Sequence, residues 1–208
     1  MKPLVVINFK TYKQGKKVLS LAKQIEKADK KIIIGVQASD IKELTSKTKL
    51  MIFAQHVDYM NPGRETGYIL PEAVKADGAK GTFLNHSEHK LKFSILKKTI
   101  KRCFETNLKV AVFASSLAQA KKIQKLKPDY LIIEPPELVA GKISVSKAKP
   151  ELIKKIAEEL NMKFLIGAGI HSREDVKIAL KLGASGIAVS SAIVKSINPS
   201  KKLKELMI

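Results

Sequence analysis

The fold class this sequence predicts is α/β, a closed parallel (β/α)8 barrel in compact form with short helices. Three observations lead there. Short apolar runs rich in Val, Ile and Leu recur eight times along the 208 residues. Amphipathic segments separate them, with apolar residues three and four apart, as in Val18, Leu21, Ala22 and Ile25. The runs are apolar throughout, as strands buried on both faces should be.

In order, the expected strands are Leu4–Ile7, Ile32–Val36, Met51–Ala54, Thr82–Leu84, Val110–Phe113, Tyr130–Ile133, Phe164–Ile166 and Gly186–Val189. The expected helices are Lys16–Ala28, Ile41–Thr48, Pro71–Asp77, Lys90–Thr106, Leu117–Leu126, Pro150–Leu160, Ser172–Leu182 and a short tail at Ser200–Met207. Ser172-Arg-Glu-Asp175 reads as a capping box with Asp in place of Glu, and Pro150 suits a first helical turn. Gly78 and Gly183 stand where helices should stop. An open doubly wound sheet is the alternative, but Gly-x-Gly-x-x-Gly is missing after the first strand. The expected organisation is one barrel domain over residues 1–208, short beside the ~250 residues usual for such barrels.

Composition narrows the function classes. The longest apolar runs fall far short of a membrane span, and Met1-Lys-Pro leads straight into a strand, so a cytoplasmic protein without signal peptide is expected. A single cysteine, Cys103, has no internal disulfide partner and reads as a small core residue. The net charge of +20 favours polyanions, yet the lysines are spread over nearly every helical segment without aromatic interleaving. The expectation is a solvated lysine-rich surface, no nucleic-acid partner, and a basic field that attracts a small anion.

In a (β/α) barrel the active site is built at the carboxyl ends of the strands. Here strand one ends in Asn8-Phe9-Lys10, strand four in Asn85-His86-Ser87-Glu88-His89 and strand six in Glu134-Pro-Pro. Strand seven ends in Gly167-Ala-Gly169 and strand eight in Ser190-Ser191. Glu134 stands at the mouth of a buried strand with two prolines behind it, placed to act as a base, or is simply a solvated glutamate before a turn. The turns at Gly167-Ala-Gly169 and Ser190-Ser191 offer close backbone approach to a phosphate, or are simply tight turns. His86 opens a helix in this reading, and that helix start would favour a neutral imidazole. Its spacing from His89 suits zinc, but no set of ligands completes a metal site.

Taken together these residues resemble the triosephosphate isomerase family, in particular its compact archaeal type. Asn8-Phe-Lys-Thr-Tyr12, Gln55-His, Thr66-Gly67-Tyr-Ile-Leu-Pro71-Glu, Asn85-His-Ser-Glu-His89, Glu134-Pro-Pro-Glu-Leu, Gly167-Ala-Gly-Ile170 and Gly186-Ile-Ala-Val-Ser-Ser191 carry the likeness, from Val5 to about Lys195. The resemblance implies a TIM barrel that interconverts dihydroxyacetone phosphate and D-glyceraldehyde 3-phosphate without metal or organic cofactor. It implies Glu134 as base, His86 as the electrophile that polarises the carbonyl, Lys10 as a stabiliser of negative charge and Asn8 as an orienting group. Glu88 would hold Lys10. Phe9 belongs to the implied substrate-binding motif, and backbone groups of Val139, Gly169, Ser190 and Ser191 would grip the phosphate. After Val139 the family's Gly-Thr-Gly is replaced by Ala140-Gly141-Lys142, which bears on closure of the sixth loop. A homotetramer is implied, or a dimer if the shortened chain alters those contacts. Two other readings compete: a phosphate-binding barrel enzyme acting on a larger substrate, and a basic barrel that binds nucleic acid.

Overall fold

The computed structural model describes residues 3–138 and 144–207. Eight strands, β1 (Leu4–Asn8), β2 (Ile33–Val36), β3 (Met51–Ala54), β4 (Gly81–Leu84), β5 (Lys109–Ala114), β6 (Tyr130–Ile133), β7 (Phe164–Ile166) and β8 (Gly186–Val189), pair in sequence order into a closed barrel. All pairings are parallel, and β1 joins β8 through Leu4 opposite Gly186 and Ile7 opposite Val189.

Helices α1 (Lys16–Glu26), α2 (Ile41–Lys47), α3 (Pro71–Ala76), α4 (Phe93–Glu105), α5 (Leu117–Gln124), α6 (Val145–Ala148), α7 (Pro150–Glu159), α8 (Arg173–Lys181), α9 (Ser191–Val194) and α10 (Pro199–Leu206) lie between and after the strands. The sequence places most of them to within a few residues. It misses α6 and α9, whose four residues are too few for a 3.6-residue period to show. It also starts the fourth helix too early: α4 begins at Phe93, and His86 opens no helix. The capping box at Ser172 and Asp175 is present, and Gly78 and Gly183 take φ of 95° and 105° at helix ends.

Strand alternation divides the apolar side chains into two cores. Val6, Ile33, Phe53, Phe83, Ala111, Phe113, Ile132, Leu165 and Ala188 fill the barrel interior. Their neighbours, such as Ile7, Ile34, Ile52, Val112, Ile133 and Ile187, pack against the helices. The interior holds three phenylalanines because two strands carry glycine beside them. A Cβ at Gly35 would stand 1.9 Å from the Phe83 ring, and one at Gly81 would stand 2.5 Å from the Phe53 ring. Phe53, Phe83 and Phe113 form a chain of tilted and edge-on rings with centroids 5.9 and 5.6 Å apart. That packed floor supports the site above it.

Candidate active site

One cavity at the carboxyl ends of the strands is lined by Asn8, Lys10, His86, Glu134, Gly169, Ser190 and Ser191, so residues far apart in sequence meet. Tyr12, Phe113, Ala168 and His171 also line it. Val139 and Ala140-Gly141-Lys142 lie outside the described residues.

Phe9 is the departure from expectation. Its ring is 2 % exposed and belongs to the core between barrel and helices. Alternation sends Asn8 to the cavity and Phe9 away from it, so Phe9 does not line the site. Its contribution is to anchor the strand end: its N–H donates to the Gly35 carbonyl at 2.9 Å.

Lys10 follows in the left-handed region, with φ of 48°. A lysine there is strained and needs holding. The Asn8 Oδ1 accepts from the Lys10 N–H at 2.9 Å, and the Gln55 amide donates to the Lys10 carbonyl at 2.9 Å. Gln55 Nε2 also lies 3.3 Å from Asn8 Oδ1 and 3.2 Å from the Gly35 carbonyl. Gln55 shares in the family likeness, but the sequence assigns it no role; its position directly after the buried strand β3 is the signal that could have found one. The Lys10 ammonium pairs with Glu88 at 2.6 Å; the lysine side chain is 11 % exposed and the glutamate 56 %.

His86 is aimed by the residue before it. Asn85 has φ of 61°, donates to the Phe113 carbonyl at 2.8 Å and accepts from the Leu91 N–H at 3.0 Å. The chain then makes a turn, with the His89 N–H donating to the His86 carbonyl at 2.9 Å. The Glu88 N–H donates to His86 Nδ1 at 3.1 Å, which fixes the proton of the neutral ring on Nε2. Phe113 meets the imidazole edge-on at 4.8 Å between centroids. His89 does not join His86 in a ligand pair; its ring stacks on His56 at 4.2 Å.

Glu134 extends β6 by one residue, its N–H donating to the Ala114 carbonyl at 2.9 Å. Its side chain is 11 % exposed, and Oε2 lies 2.9 Å from His86 Nε2. The contact is close but misaligned, for Oε2 is buried without a hydrogen-bond partner among the described residues. Gly167 makes room for this carboxylate: a Cβ there would stand 2.9 Å from Glu134 Oε1. The small residue serves the Glu134 carboxylate as well as the turn, which the sequence reading did not foresee.

Beyond Gly167 the chain turns through Ala168 and Gly169, with φ of 77° and 66°. At the end of the neighbouring strand β8, Ser190 precedes α9, and its buried hydroxyl likewise lacks a partner among the described residues. A helix's first turn leaves N–H groups without intrahelical acceptors. The cavity thus sets a carboxylate against an imidazole donor and an ammonium, beside a turn of small residues rich in backbone N–H groups.

Known proteins share both the fold and the sequence. The family model described as triosephosphate isomerase matches residues 3–205. The triosephosphate isomerase of Methanocaldococcus jannaschii is 40% identical over 98% of each chain. That of Saccharolobus solfataricus is 41% identical over 99% of this chain and 95% of its own. A crystal structure of triosephosphate isomerase from Bartonella henselae superposes with a TM-score of 0.75 over 98% of both chains at 16% identity, a likeness of fold. With a full-length family match and archaeal relatives at this identity, the chain belongs to the triosephosphate isomerase family.

Proposed function

We propose that this chain interconverts dihydroxyacetone phosphate and D-glyceraldehyde 3-phosphate through an enediolate, with Glu134 as the base and His86 as the electrophile. One observation carries the assignment of roles: a buried, unpartnered oxygen of Glu134 faces the protonated nitrogen of His86 at 2.9 Å in the same cavity as Gly169 and Ser190.

A proton beside a carbonyl is weakly acidic, so the base needs a donor on the carbonyl oxygen to hold the charge that develops. His86 Nε2–H is that donor, and the Lys10 ammonium adds positive charge at the same rim. Asn8, held through its Oδ1, orients the substrate. The substrate's carbon skeleton enters between His86 and Glu134, and their contact opens to admit it. Glu134 then takes the proton from one carbon and returns it to the neighbouring one, while His86 moves a proton between the two oxygens. The phosphate sits at Gly169, Ser190 and Ser191, where backbone N–H groups bind an anion without adding a titrating group. Val139 contributes a further backbone group in this proposal. No metal or organic cofactor is called for.

The chain works as one barrel domain, in the cytoplasm, as a homo-oligomer; the tetramer comes from the family likeness. Among the described residues no helix is long and apolar enough to cross a membrane. Light scattering checks the tetramer, and a dimer would revise it.

The decisive experiment is a coupled isomerisation assay on the wild-type protein and on Glu134→Gln, Glu134→Asp and His86→Gln. General-base removal should lower kcat by about 10²–10⁴-fold. Wild-type turnover in the Glu134→Gln variant would remove the base assignment. No activity of the wild-type protein on either triose phosphate would remove the reaction itself.

A further inference from the structure

The turn that forms the anion cradle needs restraint. Ala168 and Gly169 both have positive φ, and an alanine in that region is strained. We infer that Asp175 is a positioning residue for this turn, tying residues 167–172 to α6 and so setting how tightly the cavity holds phosphate. The inference rests on the proposed phosphate site at Gly169, Ser190 and Ser191.

Asp175 sits in the first turn of α8 and is 4 % exposed. A capping box asks for one carboxylate oxygen that reaches back to the cap N–H. Asp175 uses both oxygens and does more. Its Oδ2 accepts from the Ser172 N–H at 2.9 Å and from the His171 N–H at 3.1 Å. Its Oδ1 accepts from the Ser144 hydroxyl at 3.0 Å and lies 2.9 Å from the Lys147 ammonium. Ser146, also buried, donates to the Asp175 carbonyl at 3.0 Å. One carboxylate thus clamps the C-terminal end of the cradle turn to α6. A second tie runs directly, from the Val145 N–H to the Ala168 carbonyl at 3.2 Å.

The charge is kept for a reason. Burial alone would raise the carboxyl's pKa, yet the Lys147 ammonium and the donated hydrogen bonds hold it well below the usual carboxylate range. A buried carboxylate costs a good deal unless fully bonded, and a plain cap at the surface would avoid that cost. The second oxygen is spent on α6, which a cap does not need. His171 and Ala168, on the turn so held, both line the substrate cavity with Gly169. A loosened turn would let the cradle's N–H groups wander from their common focus, weakening phosphate binding while leaving Glu134 and His86 in place.

The test compares wild type with Asp175→Asn and Ser144→Ala. The readings are KM and kcat for D-glyceraldehyde 3-phosphate, the competitive inhibition constant of inorganic phosphate, and the melting temperature. For Asp175→Asn, KM and the phosphate constant should rise together by about tenfold, with kcat of the folded protein within about threefold of wild type. Ser144→Ala removes one of the clamping bonds and should show the same split at about two- to threefold; it carries the test if Asp175→Asn does not fold. A folded variant with a lower melting temperature but unchanged KM and phosphate constant would overturn the inference, reducing Asp175 to a cap. Wild type that isomerises without competitive inhibition by phosphate would instead overturn the cradle on which the inference stands.

Discussion

On the β1–β4 side of the cavity, polar groups are held by other polar groups of the chain. Asn8 and Gln55 restrain Lys10, Glu88 pairs with its ammonium and fixes the His86 ring, and Asn85 is bonded at both ends. On the β6–β8 side, Glu134 Oε2 and the Ser190 hydroxyl are buried without a hydrogen-bond partner among the described residues, although Oε2 lies close to His86 Nε2. An unsatisfied buried polar group costs about 1–3 kcal/mol, and more when charged. The difference teaches where the ligand belongs. The first wall is finished by the protein and presents donors in fixed positions; the second keeps open the polar atoms that the substrate completes in the proposed reaction.

Substitutions can break or sharpen this contrast. The largest effect is expected at Glu134→Gln: activity falls by about a thousandfold, within the range for loss of a general base, while stability holds or rises. Differential scanning calorimetry beside the coupled assay checks both, and a marked drop in melting temperature would show that the bare carboxylate is structurally supported after all. Gly167→Ala comes next. Its new Cβ would stand 2.9 Å from Glu134 Oε1, so the carboxylate must shift and kcat should fall by roughly ten- to a hundredfold, since a displacement of about 1 Å can cost that much.

Gln55→Ala probes the finished wall. It strips donors from the Lys10 and Gly35 carbonyls, so stability should drop by about 1–3 kcal/mol in urea unfolding, with activity down by roughly tenfold. Loss of activity without loss of stability would erase the distinction between the walls. Ser190→Ala removes a hydroxyl without a partner, so stability should be unchanged and only phosphate inhibition weakened, by a few-fold.

The smallest effect is a pH dependence outside the cavity's chemistry. Burial first, and then the stacked His89, lower the pKa of His56 below 6.5 against the pull of Asp58. The unfolded chain therefore binds this proton more readily than the folded one. The stability that neutral His56 contributes is complete above pH 6.5 and declines as pH falls below it. Urea midpoints at pH 7.5 and 5.5 should differ less in His56→Gln than in wild type.

Sequence pattern carried the barrel a long way because its period is short and local. Tyr130–Ile133 and Gly186–Val189 were legible as strands from four letters each, and both sides of the cavity were legible from the residues directly after such runs. Two kinds of feature were not. Helices of four residues, such as Ser191–Val194, leave no periodic trace. The early start given to α4 came from an amphipathic segment read through Lys90-Leu91-Lys92, where Asn85 Oδ1 instead accepts the Leu91 N–H and delays the helix. Phe9 entered the site only as part of the family motif Asn8-Phe-Lys, and strand alternation in space sends it to the other face.

By itself the sequence determined the order of elements, the side chains at each strand end and the identity of the chemical groups available. Those come from local periodicity and from the position of a residue relative to the end of a run. Only the tertiary structure decided that Gly167 is small to admit Glu134, that the His86 proton is on Nε2, and that Asp175 bonds to α6 as well as to its own cap. Each of these is a contact between residues distant in the chain or a choice between atoms of one ring, and neither leaves a mark in spacing or composition.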